Sequence, residues 1–261
     1  MITYAKKNNY AVWMPGFYDY WHFFPKLDHR PTFASRFYTF SMFPPGDVFY
    51  TFNFIFRKAS QLKENPLFCS LTFSDSSDGN PWDNIGRSKS RVILFSGFVF
   101  HEYMLDCSSA ISEINSLFRP ASKYIDEINA PIEILKSRND LVCGVLVRQT
   151  DYRSWNDGKY FYTSKQYARF LHGLNNSFEN KKIGFFIATD EMQDEKIYSE
   201  IDCIVRVGYP LENLYSLSLC DFLVGPPSSY IGWASLLSES PLISITDISS
   251  IPSPADFSLN I

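Results

Sequence analysis

Nowhere in these 261 residues does an apolar run reach the roughly 18 residues that a membrane span requires. The opening MITYAKKNNY has no apolar core ahead of a cleavage site, so no signal peptide is expected. Positive charge is scarce: 24 Lys and Arg stand against 28 Asp and Glu, a net charge of -4 with a pI near 5.6. A nucleic-acid binder normally shows a basic face, so that partner is set aside, and any basic character must be local to a pocket. The five cysteines (Cys69, Cys107, Cys143, Cys203, Cys220) are odd in number and scattered. They read as buried free thiols in a reducing cytoplasm. No close Cys/His spacing suggests zinc, and there is no internal repeat or low-complexity tract. The apolar fraction of 45% and charged fraction of 20% are those of an ordinary soluble globular protein.

Aromatic residues are plentiful and concentrate before residue 60, in FYDYWHFF (Phe17–Phe24) and FYTFNFIF (Phe49–Phe56). An aromatic core is the first reading. A sugar-stacking surface, a protein interface and peripheral membrane contact stay open beside it.

Chemistry gathers in the second half. LVCGVLVRQTDY (Leu141–Tyr152) is a short apolar run ending abruptly in Arg148, Gln149, Thr150 and Asp151. Such a run reads as a buried parallel strand, and in open α/β sheets ligands bind beyond the strands' carboxyl ends. An arginine there is placed to clamp a phosphate or carboxylate with its planar fork. Pairing of Arg148 with Asp151 at the sheet rim is the plain alternative. KIGFFIATDE (Lys182–Glu191) repeats the pattern, ending in Thr189 and Asp190. DFLVGPPSSYIGW (Asp221–Trp233) does so again, breaking at Gly225-Pro226-Pro227 before Ser228 and Ser229 open a helix. That helix start carries free N–H groups and a positive dipole end, although serines are also ordinary N-caps. Three polar strand ends in succession describe a pocket for a phosphorylated ligand.

From Asp140 onward strands and helices alternate, which predicts a parallel, Rossmann-like sheet with helices on both faces. Strands are expected at 183–188, 203–207, 222–224 and 242–245. Helices are expected from the Thr163/Ser164 cap through Leu174, over 191–200, from Pro210, and over 229–237. The first half is an aromatic-rich α/β lobe, with helices expected at 1–9, 33–43, 49–62, 107–117 and 120–128. A strand is expected at 11–14 and another at Arg91–Gly97, with loop-rich stretches at 70–79 and 81–90. The expected division is 1–135 for this lobe and 136–261 for the Rossmann-like domain.

The order VLVRQTDY, FFIATDE, DFLVGPPSSYIGWASLL resembles the fucosyltransferase superfamily of GT-B glycosyltransferases, the α1,2- and α1,6-enzymes among them. The signature of that superfamily is a strand ending His-x-Arg-x-x-Asp, followed by an Ala-Thr-Asp strand end and a Ser-Ser helix start. FRPASKYID (Phe118–Asp126) fits the helix placed before the signature. The resemblance covers roughly residues 90 to 245. It implies a GT-B-like fold and metal-independent, inverting transfer of fucose or a similar sugar from a GDP-sugar, GDP-fucose first, to a saccharide acceptor. No cofactor is implied, and bacterial surface polysaccharide assembly is the implied setting. Arg148 would hold the diphosphate and offset charge on the leaving group. Ser228 and Ser229 would donate to phosphate oxygens, Asp151 would order the Arg148 loop, and Asp190 would line the cleft. Tyr152 and Trp155 would stack on sugar or guanine, or wall the loop. Leu146 replaces the signature histidine, and Gln149-Thr150 stands where relatives carry an additional arginine. The opening strand and Gly-rich loop of the family are missing, so the expectation is a start lying upstream or a first lobe that is incomplete.

Inverting transfer needs a base at the acceptor hydroxyl. Asp157 is the first choice, although Asn156-Asp157-Gly158 is also a plain turn. His22, Asp19 and His101 are others. Asp75 and Asp78, in SDSSDG, read as solvated rather than metal-binding. The competing function is a truncated, non-catalytic homologue that binds a nucleotide sugar or a protein partner.

Overall fold

The computed structural model describes residues 12–13, 23–25, 37–38, 68–73, 92–97 and 111–257, and the chain divides into two units, 1–119 and 120–261. In the first unit β1 (Val12–Trp13) pairs in parallel with β2 (Phe37–Tyr38). There too β3 (Phe68–Phe73) pairs in parallel with β4 (Val92–Gly97), and α1 (Ile111–Leu117) follows. Two expectations are corrected. Phe37 and Tyr38 are strand where a helix was expected, since aromatic residues suit a pleated surface as well. Ser70 lies mid-strand rather than opening a loop: Cys69 to Phe73 alternates apolar and polar residues, the period of a strand. Phe23 and Phe24 are buried with rings 5.1 Å apart, and Phe24 meets Phe118 at 5.4 Å, so this piece of the aromatic run is core. The expected helices at 1–9 and 49–62, and Asp19, His22, Asp75, Asp78 and His101, lie outside the described residues.

The second unit is a five-stranded parallel sheet. Its elements are α2 (Ile125–Lys136), β5 (Leu141–Val147), α3 (Ser164–Ser177), β6 (Ile183–Thr189) and β7 (Asp202–Val207). After these come α4 (Pro210–Leu217), β8 (Phe222–Gly225), α5 (Ser229–Ser238) and β9 (Leu242–Ser244). The strand order is β7-β6-β5-β8-β9. The chain builds outward from β5 in one direction, then returns to its other side at β8. The order therefore reverses between β5 and β8, the crevice where open α/β sheets bind ligands.

Burial on both faces explains the uninterrupted apolar runs of β5 and β6. Cys143, Val145 and Val147 join Phe185, Ile187, Phe222 and Val224 under α3, whose Tyr167, Phe170, Leu171 and Leu174 are buried. On the opposite face Gly144 is crowded by side chains of Leu223, Leu217 and Cys220, with 2.5 to 3.1 Å between them and the place a Cβ would take. That face is covered by α2, α4 and α5, and the Ser216 hydroxyl donates to the Ile128 carbonyl at 2.7 Å to join α4 to α2. α3 starts with a full capping box: Thr163 Oγ1 accepts from Gln166 N, and Gln166 Oε1 accepts from Thr163 N at 2.9 Å.

Two boundaries move. The division falls at 119/120 rather than 135/136, because α2 buries Ile128, Ile132 and Leu135 as part of the second unit. The helix expected at 120–128 runs on to Lys136, and Pro131 inside it does not end it. The helix expected over 191–200 is a single 3-10 turn, Glu195–Tyr198, started by Asp194 accepting from Lys196 N. Ahead of it Thr189 Oγ1 donates to the Glu191 carbonyl, and Gln193 turns inward, so the chain folds over the strand end instead of winding.

Candidate functional site

Arg148 is the first residue past β5 and Asp190 the first past β6. Val147 opposite Thr189 puts them side by side. Asp190 organises what leaves β5. Its Oδ1 accepts from Gln149 N at 2.9 Å, and its Oδ2 accepts from the Thr150 hydroxyl at 2.7 Å. Arg148 Nη2 donates to Asp151 Oδ1 at 2.6 Å. Arg148 Nε lies 3.0 Å from Asp190 Oδ2, an ion pair by distance. It is off the line of a hydrogen bond, so this buried Nε–H has no hydrogen-bond partner. Partial burial opposes the Arg148 charge, but Asp151 and then Asp190 outweigh it and raise its pKa above the ordinary value. Reciprocally, the hydrogen bond from Arg148 holds the Asp151 carboxyl below the usual aspartate range.

Both carboxylates lie along the Nε–Nη2 edge of the guanidinium. The terminal edge, Nη1 and the second Nη2 hydrogen, lies outside these contacts and matches a phosphate's paired oxygens. Arg148 and Asp151 do form the rim pair that the sequence leaves open, and that pairing orients the fork without using it up.

Tyr152 is buried, and burial raises its pKa. Its ring sits 5.3 Å from the Arg148 guanidinium, and its hydroxyl donates to the Pro227 carbonyl at 2.6 Å. One tyrosine thus spans the β5/β8 crevice, with the arginine on its ring and the approach to α5 on its hydroxyl. Ser228 caps α5, its side chain accepting from Tyr230 N at 3.2 Å. Exposed Ser229 and buried Ile231 contribute first-turn N–H groups that have no intrahelical acceptor. Asp157 is exposed on a left-handed turn, with φ 51° at Asn156, 55° at Asp157 and 70° at Gly158.

Behind Arg148 a chain of buried amides fixes the loop. Gln149 Nε2 donates to the Tyr162 carbonyl at 3.0 Å, and Gln193 Nε2 donates to Gln149 Oε1 at 2.9 Å. The Tyr198 hydroxyl donates to Gln193 Oε1 at 3.3 Å, and burial pushes Tyr198 up to about 12.

No family model matches this sequence, and no curated protein matches it. Solved structures do. A mutant of Arabidopsis thaliana FUT1 in complex with GDP aligns at 13% identity and a TM-score of 0.44, over 77% of this chain and 54% of that one. POFUT1 in complex with GDP aligns at 12% identity and a TM-score of 0.39, over 64% of this chain and 59% of its own. A second crystal form of POFUT1 with GDP gives 10% identity and a TM-score of 0.33, over 74% and 78% of the two chains. The present chain spans about half the length of FUT1.

Residues that sequence reasoning did not single out also stand at the strand ends. Arg206 on β7 is in register with Ala188 on β6 and through it with Leu146, two residues ahead of Arg148. It donates to the Glu127 carbonyl at 2.7 Å. Tyr230, at the start of α5, donates its hydroxyl to the Pro210 carbonyl, and Arg148, Arg206 and Glu212 all act on it electrostatically. An arginine just inside a strand's end and a helical tyrosine carry no local signal; strand register places the first and the packing of α5 beside α4 the second. Among the described residues, no group of three or more His, Cys, Asp or Glu is arranged to hold a metal ion. No described helix is long and apolar enough to cross a membrane.

Proposed function

We propose that this chain is a glycosyltransferase that binds the diphosphate of a nucleotide sugar between Arg148 and the start of α5. The observation that carries this reading is Arg148 itself. Its inner edge is held by Asp151 and Asp190, and its ring support, Tyr152, is tied to Pro227 just ahead of α5. A guanidinium so fixed offers paired donors on one side, and the free N–H groups of α5 offer more on the other. Both favour the charge that gathers on a leaving diphosphate.

The finer reading follows the sequence resemblance. The donor is a GDP-sugar, GDP-fucose first, and the acceptor is a saccharide. Transfer is metal-independent and inverts the anomeric carbon. The acceptor oxygen attacks that carbon, the bond to the diphosphate breaks, and Arg148 receives the developing negative charge. A base takes the acceptor proton, with Asp157 the next carboxylate in sequence after Asp151. A second reading, a homologue that binds the nucleotide sugar without transferring it, is favoured by one observation: Asp157 stands exposed on its turn rather than enclosed. No cofactor is required in either reading. The cytoplasm and bacterial polysaccharide assembly are the proposed setting.

Thermal shift with GDP, UDP, CMP and their sugars tests the reading. GDP at about 100 times its dissociation constant adds about 2.7 kcal/mol of stability. Stabilisation by UDP or CMP with none by GDP contradicts the donor assignment. Release of GDP from GDP-fucose separates the transferase from the binding homologue.

A further inference from the structure

Trp155 is 47% exposed, an unusual position for the largest apolar side chain, and it is not loosely held. It precedes three consecutive left-handed residues, Asn156, Asp157 and Gly158. Left-handed backbone at a residue other than glycine costs about 1–3 kcal/mol and persists only where its surroundings impose it. Here Lys159 N donates to the Asn156 carbonyl at 3.0 Å, and Phe161 N donates to the Gly158 carbonyl at 3.0 Å, closing the turn. The indole is flanked by the Tyr152 ring at 4.9 Å and the Tyr160 ring at 5.8 Å. Since the Arg148 guanidinium sits on Tyr152, the exposed indole stands one ring away from the phosphate clamp. Lys159 lies 5.2 Å from the Tyr160 ring and gives the far end of this aromatic row a polar rim.

We propose that Trp155, braced by Tyr152 and Tyr160, is a stacking shelf for the pyranose ring of a saccharide. The face of a pyranose lined with C–H bonds carries partial positive charge and complements the negative face of an indole. Its hydroxyls meanwhile stay in water, which suits a half-exposed ring rather than a closed apolar pocket. The position follows from the clamp: whatever sugar leaves or meets the diphosphate passes within one ring of Arg148. This inference therefore rests on the proposed nucleotide-sugar reading. The ring has two possible sources, the donor's own sugar and the acceptor, and the chemistry of the shelf is the same for both.

The test uses the full chain, Trp155→Ala and Trp155→Phe, with the melting temperature as a folding check. Calorimetry measures GDP and GDP-fucose, and saturation-transfer NMR measures methyl glycopyranosides with GDP present. Trp155→Ala is expected to leave GDP affinity within twofold of wild type while lowering a sugar-dependent affinity about tenfold, with partial recovery in Trp155→Phe. Loss confined to GDP-fucose assigns the shelf to the donor sugar, and loss confined to the glycosides assigns it to the acceptor. The proposal is overturned if Trp155→Ala changes no sugar-dependent affinity, if it weakens GDP as much as GDP-fucose, or if the wild type shows no sugar-dependent binding. Wild-type protein that binds glycosides through Trp155 but never GDP keeps the shelf and removes the clamp.

Discussion

Asp190 shows how one side chain sets a site. It accepts from Gln149 N and the Thr150 hydroxyl while its charge faces Arg148 Nε, so the loop after β5 and the arginine are positioned together. Asp190→Ala is expected to cost about 1.5–3 kcal/mol, the range for hydrogen bonds to a charged group, as read by chemical denaturation. It should also weaken GDP binding; an unchanged affinity would mean that Arg148 is aimed by other contacts. Asp151 makes a different prediction. Its folded pKa is lowered, so its contribution is complete above its unfolded value near 3.9 and is lost as pH falls through the folded pKa. The side chain is 58% exposed, so solvent screens the pair and the effect is small. The melting temperatures of wild type and Asp151→Asn should differ by a constant amount from pH 7 to pH 5 and converge only below about pH 3.9. Convergence near neutrality would show that the pairing is not made. Tyr152 was expected to contact the donor or wall the loop. Its burial and its bond to Pro227 make it the brace beneath Arg148, and the more exposed ring is its neighbour Trp155.

At the scale of elements, the sequence is most readable where burial leaves a strong pattern. β5, β6 and β8 are enclosed on both faces and appear as unbroken apolar runs, each stopped by polar residues. The Thr163 cap of α3 is readable too, because Gln166 completes its box. Thr163→Ala should lower stability by about 1 kcal/mol. Leu171→Ala, which opens a void beneath the sheet, should cost about 2–5 kcal/mol. Equal losses in the two variants would contradict the packing described. Less readable are the elements whose local pattern is overruled. Pro131 usually marks a helix end, yet α2 continues through it. The polar run 191–200 looks like an exposed helix, but the side chain of Gln193 is drawn inward to Gln149 and only one turn forms. In β3 serine and threonine imitate a loop, because strand alternation over five residues is a weaker signal than composition.

For the whole molecule, the reversal of strand order between β5 and β8 explains why Arg148 and Ser228, eighty residues apart in sequence, reach the same crevice. The polar strand ends announce a phosphate site in the sequence. Which strands are neighbours, and hence which strand ends meet, is a property of the sheet alone. The same limit hid Arg206 and Tyr230, whose positions depend on register across β5, β6 and β7 and on the packing of α5 beside α4.

The central claim is that the Arg148 guanidinium binds a nucleoside diphosphate. Isothermal calorimetry of GDP against wild type and Arg148→Ala tests it most directly. An affinity loss of about 10- to 100-fold, the equivalent of one charge-assisted contact, is the expected result, with a melting temperature showing the variant still folded. Equal GDP affinity in the two folded proteins would contradict it.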